Sequence, residues 1–286
     1  MIIDKLYESV QKKGPVCVGL DTSPEYIPKS FFTKFETVQD AVFEFNKKII
    51  DATIDVCACY KVQIAFYESL GIEGLKAYKK TLKYIRSSGA IVIADVKRGD
   101  IASTASMYAK AHFEGDFESD FITLNPYMGM DSIEPYLNYI QNEEKGLFVL
   151  IRTSNKGAQD IQYIKSQGDQ KVYDIVGESV QRIGKKYLGS CGYSSIGGVM
   201  GCTHPEEGVK LRSKLSSTFL LIPGYGAQGG RAEDVALYLK NGNGGIVNSS
   251  RGILLSYKKY ENGENIFWQC ARNEVIKMRD DIAKHL

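Results

Sequence analysis

Six cysteines in 286 residues are too few for a disulfide scaffold, and Cys17, Cys57, Cys59, Cys191, Cys202 and Cys270 include no CxxC pair matched by a second one. They read as reduced thiols. Cys57 and Cys59, two positions apart in VCACYKVQIAF, are expected to share one face of a strand as packing groups rather than as metal ligands. Only three histidines occur, His112, His204 and His285, too few and too scattered to suggest a metal site. An excess of charge is also missing: 36 Lys and Arg against 34 Asp and Glu leave a formal net charge of +2, so nothing points to a nucleic-acid partner. No apolar run is long enough to span a bilayer, and the opening MIIDKLYESVQKKG carries Asp4, Lys5 and Glu8 where a secretory signal needs an unbroken apolar core. The expectation is a cytoplasmic protein with no membrane partner.

What the chain does have is alternation. Short β-branched runs separate longer amphipathic stretches, the pattern of a parallel sheet with crossover helices. The runs are VCVGL (16–20), CACYKVQ (57–63), AIVIAD (90–95), FITL (121–124), LFVLI (147–151), IGGVM (196–200), FLLIP (219–223) and GIVNS (245–249). Between them the period becomes helical: Val38, Val42, Phe45 and Ile49 line one face, and Leu75, Tyr78, Leu82 and Ile85 line another until Gly89 offers a stop. The stretch 172–188 repeats this pattern. Eight β-runs with helices between them predict an α/β chain, a (β/α)₈ TIM barrel forming a single domain over 1–286, with IIDKLYESVQKK as an additional N-terminal helix. A doubly wound open sheet is the alternative, because strand count does not prove closure.

In a barrel the strand ends and the loops after them build the site, and here those positions are polar. Asp21 follows the first run, Lys61 lies in the second, Asp95 and Lys97 close the third, Asn125 follows the fourth and RTSN (152–155) the fifth. After the seventh comes PGYGAQGGR, whose Gly224, Gly226, Gly229 and Gly230 would let backbone N–H groups approach an anion. After the eighth comes NSSRG, where Arg251 offers a fork of donors for a phosphate and Gln228 of the preceding loop a side-chain amide. Asp95 and Lys97 are two apart, so a persisting strand points both into the barrel mouth, with Asp100 beyond them in the loop. Burying such charges costs several kcal/mol of hydration each, which favours a functional reason for the cluster over a charged strand cap. With Lys61 on the neighbouring strand, a Lys–Asp–Lys–Asp array is expected.

ADVKRGDIAST, together with VGLD, YKVQIAFYESLG, RTSNKGAQ, PGYGAQGG and NSSRG in order along residues 16–255, resembles the orotidine 5′-phosphate decarboxylase family. The DxKxxD core is shared by a wider group of phosphate-handling barrels, whereas the whole series is specific. The resemblance implies decarboxylation of orotidine 5′-monophosphate to uridine 5′-monophosphate with no cofactor and no metal. It implies that Lys97 delivers a proton to C6 of the pyrimidine, that Asp95 lies by the substrate carboxylate, and that Lys61 holds the charge network and touches the ribose. Asp21 would bind the ribose hydroxyls, Ser154 the pyrimidine, and Gln228 and Arg251 the phosphate. It further implies a homodimer in which Asp100 and Thr104 reach into the neighbouring subunit's site. In TSNKGA the chain carries Lys156 where the family pattern has Pro, and residues 159–191 form a longer stretch than a minimal member needs. Two other readings share parts of the pattern: a metal-assisted aldol barrel such as 3-hexulose-6-phosphate synthase, and a non-catalytic nucleotide-binding barrel. The joint presence of Lys61, Asp95, Lys97 and Asp100 argues against the latter, since binding alone does not call for that array.

Overall fold

All eight β-runs become strands. The computed structural model describes residues 1–142, 144–226 and 229–286, with β1 (Val16–Gly19), β2 (Cys59–Gln63), β3 (Val92–Arg98), β4 (Phe121–Leu124), β5 (Gly146–Arg152), β6 (Ser194–Met200), β7 (Thr218–Pro223) and β8 (Gly245–Ser249). Each strand pairs in parallel with the next, and β8 returns to β1 through Val16↔Val247 and Cys17↔Asn248. The sheet therefore closes into the (β/α)₈ barrel, and the open-sheet alternative falls.

Strand alternation sorts the side chains into two cores. Val18, Tyr60, Val62, Ile122 and Val149 point outward, beneath the helices Val38–Thr53 and Gly71–Ser87, which bury Val42, Phe45 and Ile49 and Tyr78, Leu82 and Ile85 respectively. Cys17, Cys59, Ile93, Phe121, Phe148 and Phe219 point inward and form a separate cluster. The N-terminal helix Ile2–Lys13 adds Ile2, Ile3, Leu6 and Val10 to that inner cluster, so it plugs the end of the barrel where the strands begin. Each such side chain contributes roughly 1.5–3 kcal/mol on burial. With one end stoppered by apolar groups, the polar residues at the strand C-termini are left facing the other.

Cys57 and Cys59 do not share a face, contrary to the alternation argument. β2 starts only at Cys59, so Cys57 precedes the pleat; it packs in the outer core while Cys59 turns into the barrel. Burial pushes the Cys57 thiol up to about 12, which leaves it unreactive. The helix Val172–Gly184 ends four residues before the sequence pattern does, because Leu188 is drawn into an antiparallel bridge with Ser194 at the start of β6.

A partly buried seam joins β3 to the helix Ala102–Phe113. Arg98 Nε donates to His112 Nε2 at 3.3 Å, and the Arg98 guanidinium lies 5.0 Å from the centre of the Tyr108 ring. Burial, reinforced by Arg98, pushes the His112 imidazole down to about 4, which keeps it neutral and able to accept. In the unfolded chain the same imidazole takes up its proton near pH 6.5. Between pH 6.5 and 4 the unfolded state thus binds more protons, and stability falls as pH falls through that window. Urea unfolding of the wild type should lose about 3 kcal/mol to this group between pH 7 and 4. A His112→Gln variant should lose less over the same range, and an unchanged pH slope would contradict the assignment.

Candidate active site

The open end of the barrel holds a cavity of about 500 Å³ whose walls include Asp21, Lys61, Asp95, Lys97, Thr123 and Ser154. Four of these form a continuous chain of alternating charge. Lys61 Nζ lies 3.1 Å from Asp21 Oδ1 and 2.9 Å from Asp95 Oδ2, and Lys97 Nζ lies 2.6 Å from Asp95 Oδ1. Asp95 and Lys61 are nearly sealed, at 8% and 6% side-chain exposure, whereas Lys97 is 46% exposed. Lys97 is therefore the cation of the chain that faces the open cavity. Burial by itself would raise the Asp95 carboxyl, but the ammonium groups of Lys61 and Lys97 override it and hold the group well below the usual carboxylate range. Burial likewise pulls Lys61 down, and Asp21 and Asp95 together push it well above an ordinary lysine. Lys61 and Asp95 are thereby held in their charged forms before any substrate arrives.

Simple pleating does not place Lys97. Between Ala94, which pairs with Ile122, and Arg98, which pairs with Leu124, β3 carries two more residues than β4, and Lys97 sits in the left-handed region at φ 43°. For a residue with a Cβ that conformation costs roughly 1–2 kcal/mol. Thr123 offsets the cost. Its Oγ1 accepts from Val96 N at 3.0 Å and from Lys97 N at 2.9 Å, and donates to Asp95 Oδ1 at 2.9 Å. One hydroxyl thus ties the bulged backbone to the carboxylate that receives the lysine. The sequence reading missed Thr123, although its inward position two residues after Phe121 in FITL was available from alternation.

Beside the main cavity lies a second of about 330 Å³, with Asp21, Gly224, Tyr225, Ser250 and Arg251 among its walls. Ser250 Oγ donates to Asp21 Oδ2 at 2.8 Å, linking the loop after β8 to the charge chain. That hydroxyl occupies the space a side chain at Gly19 would need, which explains the glycine of VGLD. Arg251 is exposed at the cavity rim. The glycine loop behaves differently from expectation: Gly226 N, Gly229 N and Gly230 N donate to Gly230 O, Gly226 O and Gly224 O, so its own turn takes up those donors. Tyr225 anchors the loop through a 2.7 Å hydrogen bond to Asp281 of the helix Phe267–Ala283. Gln228 lies outside the described residues.

Ser154 and Asn155 of RTSN reach the main cavity, but Arg152 does not. Its side chain is 1% exposed and turns outward to Tyr163 and Glu207. Asp100 and Thr104 also stand apart from the charge chain. The Asp100 carboxylate accepts from Ile101 N at 2.8 Å, and Thr104 is exposed on the helix Ala102–Phe113. Within one chain, then, the array runs Asp21–Lys61–Asp95–Lys97: Asp21 extends it beyond Lys61, at the end opposite to the one where Asp100 was expected, and the Asp100 carboxylate turns to Ile101 N instead. Gly201, also missed from sequence, stands where a Cβ would come within 2.8 Å of Ser154 Cβ, so its bare backbone lets the loop after β5 close against β6.

Comparison with known proteins identifies the family. Residues 14–266 match the model of the orotidine 5′-phosphate decarboxylase / HUMPS family. The chain is 68% identical over 284 residues to orotidine 5′-phosphate decarboxylase of Clostridium kluyveri, covering 99% of this chain and 98% of that one. It is 66% identical over 286 residues to the enzyme of the same name from Clostridium acetobutylicum, covering all of both. Among solved structures, the OMP decarboxylase of Leishmania donovani superposes with a TM-score of 0.77 at 29% identity, covering 99% of this chain and 98% of that one.

Proposed function

The chain belongs to the orotidine 5′-phosphate decarboxylase / HUMPS family, and from that premise we propose how its residues carry out the reaction. The activity is decarboxylation of orotidine 5′-monophosphate to uridine 5′-monophosphate and carbon dioxide, a step of pyrimidine biosynthesis; full-length relatives at 68% and 66% identity bear that name. The observation that carries the mechanism is the fixed charge chain with Lys97 at its exposed end.

Loss of carbon dioxide from C6 leaves an electron pair in an sp² orbital that the ring cannot delocalise, so the barrier to be removed lies near the top of the ~8–23 kcal/mol enzymes usually supply. Lys97 is the proton donor. Its ammonium attracts negative charge as that charge localises at C6, then transfers a proton to the carbon, so the interaction strengthens toward the transition state. One such pair at ~4 Å and an effective dielectric of about 20 is worth roughly 4 kcal/mol. Asp95 sits where the substrate carboxylate enters and holds both lysines; Lys61 and Asp21 reach the ribose; Ser154 meets the pyrimidine. Arg251, with Gln228, grips the phosphate, and binding energy gained there is applied at the reacting carbon.

The whole chain, 1–286, acts as one domain in a cytoplasmic homodimer. Asp100 and Thr104 serve the neighbouring subunit's site. Supporting this, Ile101 and Met107 on the same segment are 46% and 62% exposed, an apolar surface suited to a subunit interface. No helix among the described residues is long and apolar enough to cross a membrane.

The direct test is absorbance loss of orotidine 5′-monophosphate with purified protein, with and without EDTA. Rapid loss indifferent to EDTA is expected. Loss abolished by EDTA would replace the ion-pair mechanism with a metal-assisted one.

A further inference from the structure

The segment from Gln159 to Val172 has no part in the chemistry above, yet it is tied to the site from behind. Gln162 Oε1 accepts from Thr153 N at 3.0 Å, and Gln162 Nε2 donates to Thr153 Oγ1 at 2.7 Å. Thr153 Oγ1 in turn donates to Asn155 Oδ1 at 2.6 Å. The residues on both sides of Ser154 are thus held by one amide reaching in from the segment. The segment itself is anchored next door. Tyr163 bonds to Glu207 of the helix Pro205–Lys214 and accepts from Arg152 Nη2 at 2.8 Å. Lys171 pairs with the same Glu207 at 2.8 Å and lies 4.2 Å from the centre of the Tyr163 ring. Arg152, the last residue of β5, completes the anchor with 3.1 Å to Glu207.

We propose that Gln162 is a positioning residue for Ser154, and that the 159–172 segment, anchored at Arg152, Tyr163, Lys171 and Glu207, stiffens the pyrimidine-side loop from outside. Lys156 is exposed and holds the position where a proline would have stiffened that loop from within. A loop lacking that ring keeps more freedom in the free enzyme, and two hydrogen bonds from a neighbouring element remove it. The substrate then finds Ser154 already in place, which lowers the entropy lost on binding. This inference rests on Ser154 contacting the pyrimidine.

Steady-state kinetics on orotidine 5′-monophosphate separate the two ideas. Gln162→Leu, which fills similar space without polar atoms, should raise KM about tenfold with kcat nearly unchanged, as expected for two neutral hydrogen bonds. Gln162→Glu, which keeps the acceptor for Thr153 N, should recover most of the loss. In a Ser154→Ala background Gln162→Leu should add little, because its effect passes through Ser154. Competitive inhibition by inorganic phosphate, a probe of the distant Arg251 side, should be the same in Gln162→Leu as in wild type. Fully additive effects, or equal weakening of phosphate and substrate, would overturn the positioning role while leaving Ser154 in place. A silent Ser154→Ala would overturn the pyrimidine contact, and the inference with it.

Discussion

Replacing Lys97 with Ala should lower kcat on orotidine 5′-monophosphate by about 10⁵-fold, combining a lost proton donor with a lost electrostatic partner for the C6 charge. The fold should barely notice. Asp95 keeps Lys61 at 2.9 Å and Thr123 at 2.9 Å after the change, and the Lys97 side chain is 46% exposed, so little packing is lost. The melting temperature measured by calorimetry should stay within a few degrees of wild type. Near-normal turnover by the variant would remove Lys97 from the mechanism. The same variant also tests the shared site. If Asp100 serves the neighbouring subunit, unfolding and refolding an equimolar mixture of the inactive Lys97→Ala and Asp100→Ala proteins assembles mixed dimers with one intact site each. Activity should return to about a quarter of wild type, because half the dimers are mixed and each has one working site. No recovery would confine Asp100 to its own chain.

Asp95→Asn should damage both activity and stability. The carboxylate accepts Lys61 on one oxygen and Lys97 and Thr123 on the other, and an amide keeps one acceptor while turning an N–H₂ toward an ammonium. Lys61 would then be buried with Asp21 as its one remaining carboxylate. A fully uncompensated buried charge costs about 3–5 kcal/mol; with Asp21 retained at 3.1 Å the loss should be a substantial part of that, readable as a drop in unfolding free energy in urea at pH 7. With Lys97 no longer held, kcat should fall about 10³-fold as well. The pH dependence distinguishes this from a simple packing defect. Because burial is outweighed by the two lysines, the folded Asp95 pKa lies below its unfolded value. Its stabilisation is therefore complete above the unfolded pKa near 4 and is lost as pH falls through the lower folded value. Wild type and Asp95→Asn should converge in stability as the solution is acidified below pH ~4. A constant gap down to the lowest pH would mean that the charge of Asp95 is not what stabilises the fold.

Much of the molecule was legible before its coordinates. The eight strands appear within a few residues of their sequence runs, and the helix Ile2–Lys13 spans IIDKLYESVQKK itself, because strand and helix periods are local properties that neighbouring residues express together. The errors have a common origin. Extending a period-2 pattern past the point where the strand begins puts Cys57 on the face of Cys59, and the glycines after β7 suggest open donors where Gly226, Gly229 and Gly230 use theirs within the turn. Both assumed that a local pattern continues where the tertiary environment interrupts it.

By itself, the sequence determined the barrel's elements, the family, and Lys61, Asp95 and Lys97 as members of one site, since each of these follows from spacing or motif order along the chain. Tertiary structure alone decided how those charges meet. Asp21 extends the array beyond Lys61 rather than Asp100 beyond Lys97, Thr123 braces the β3 bulge from 26 residues away, and Gln162 reaches back to Thr153. Hydrogen bonds and ion pairs depend on distances of about 3 Å, and a periodicity that says which face a side chain occupies carries no information on which distant group will stand opposite it.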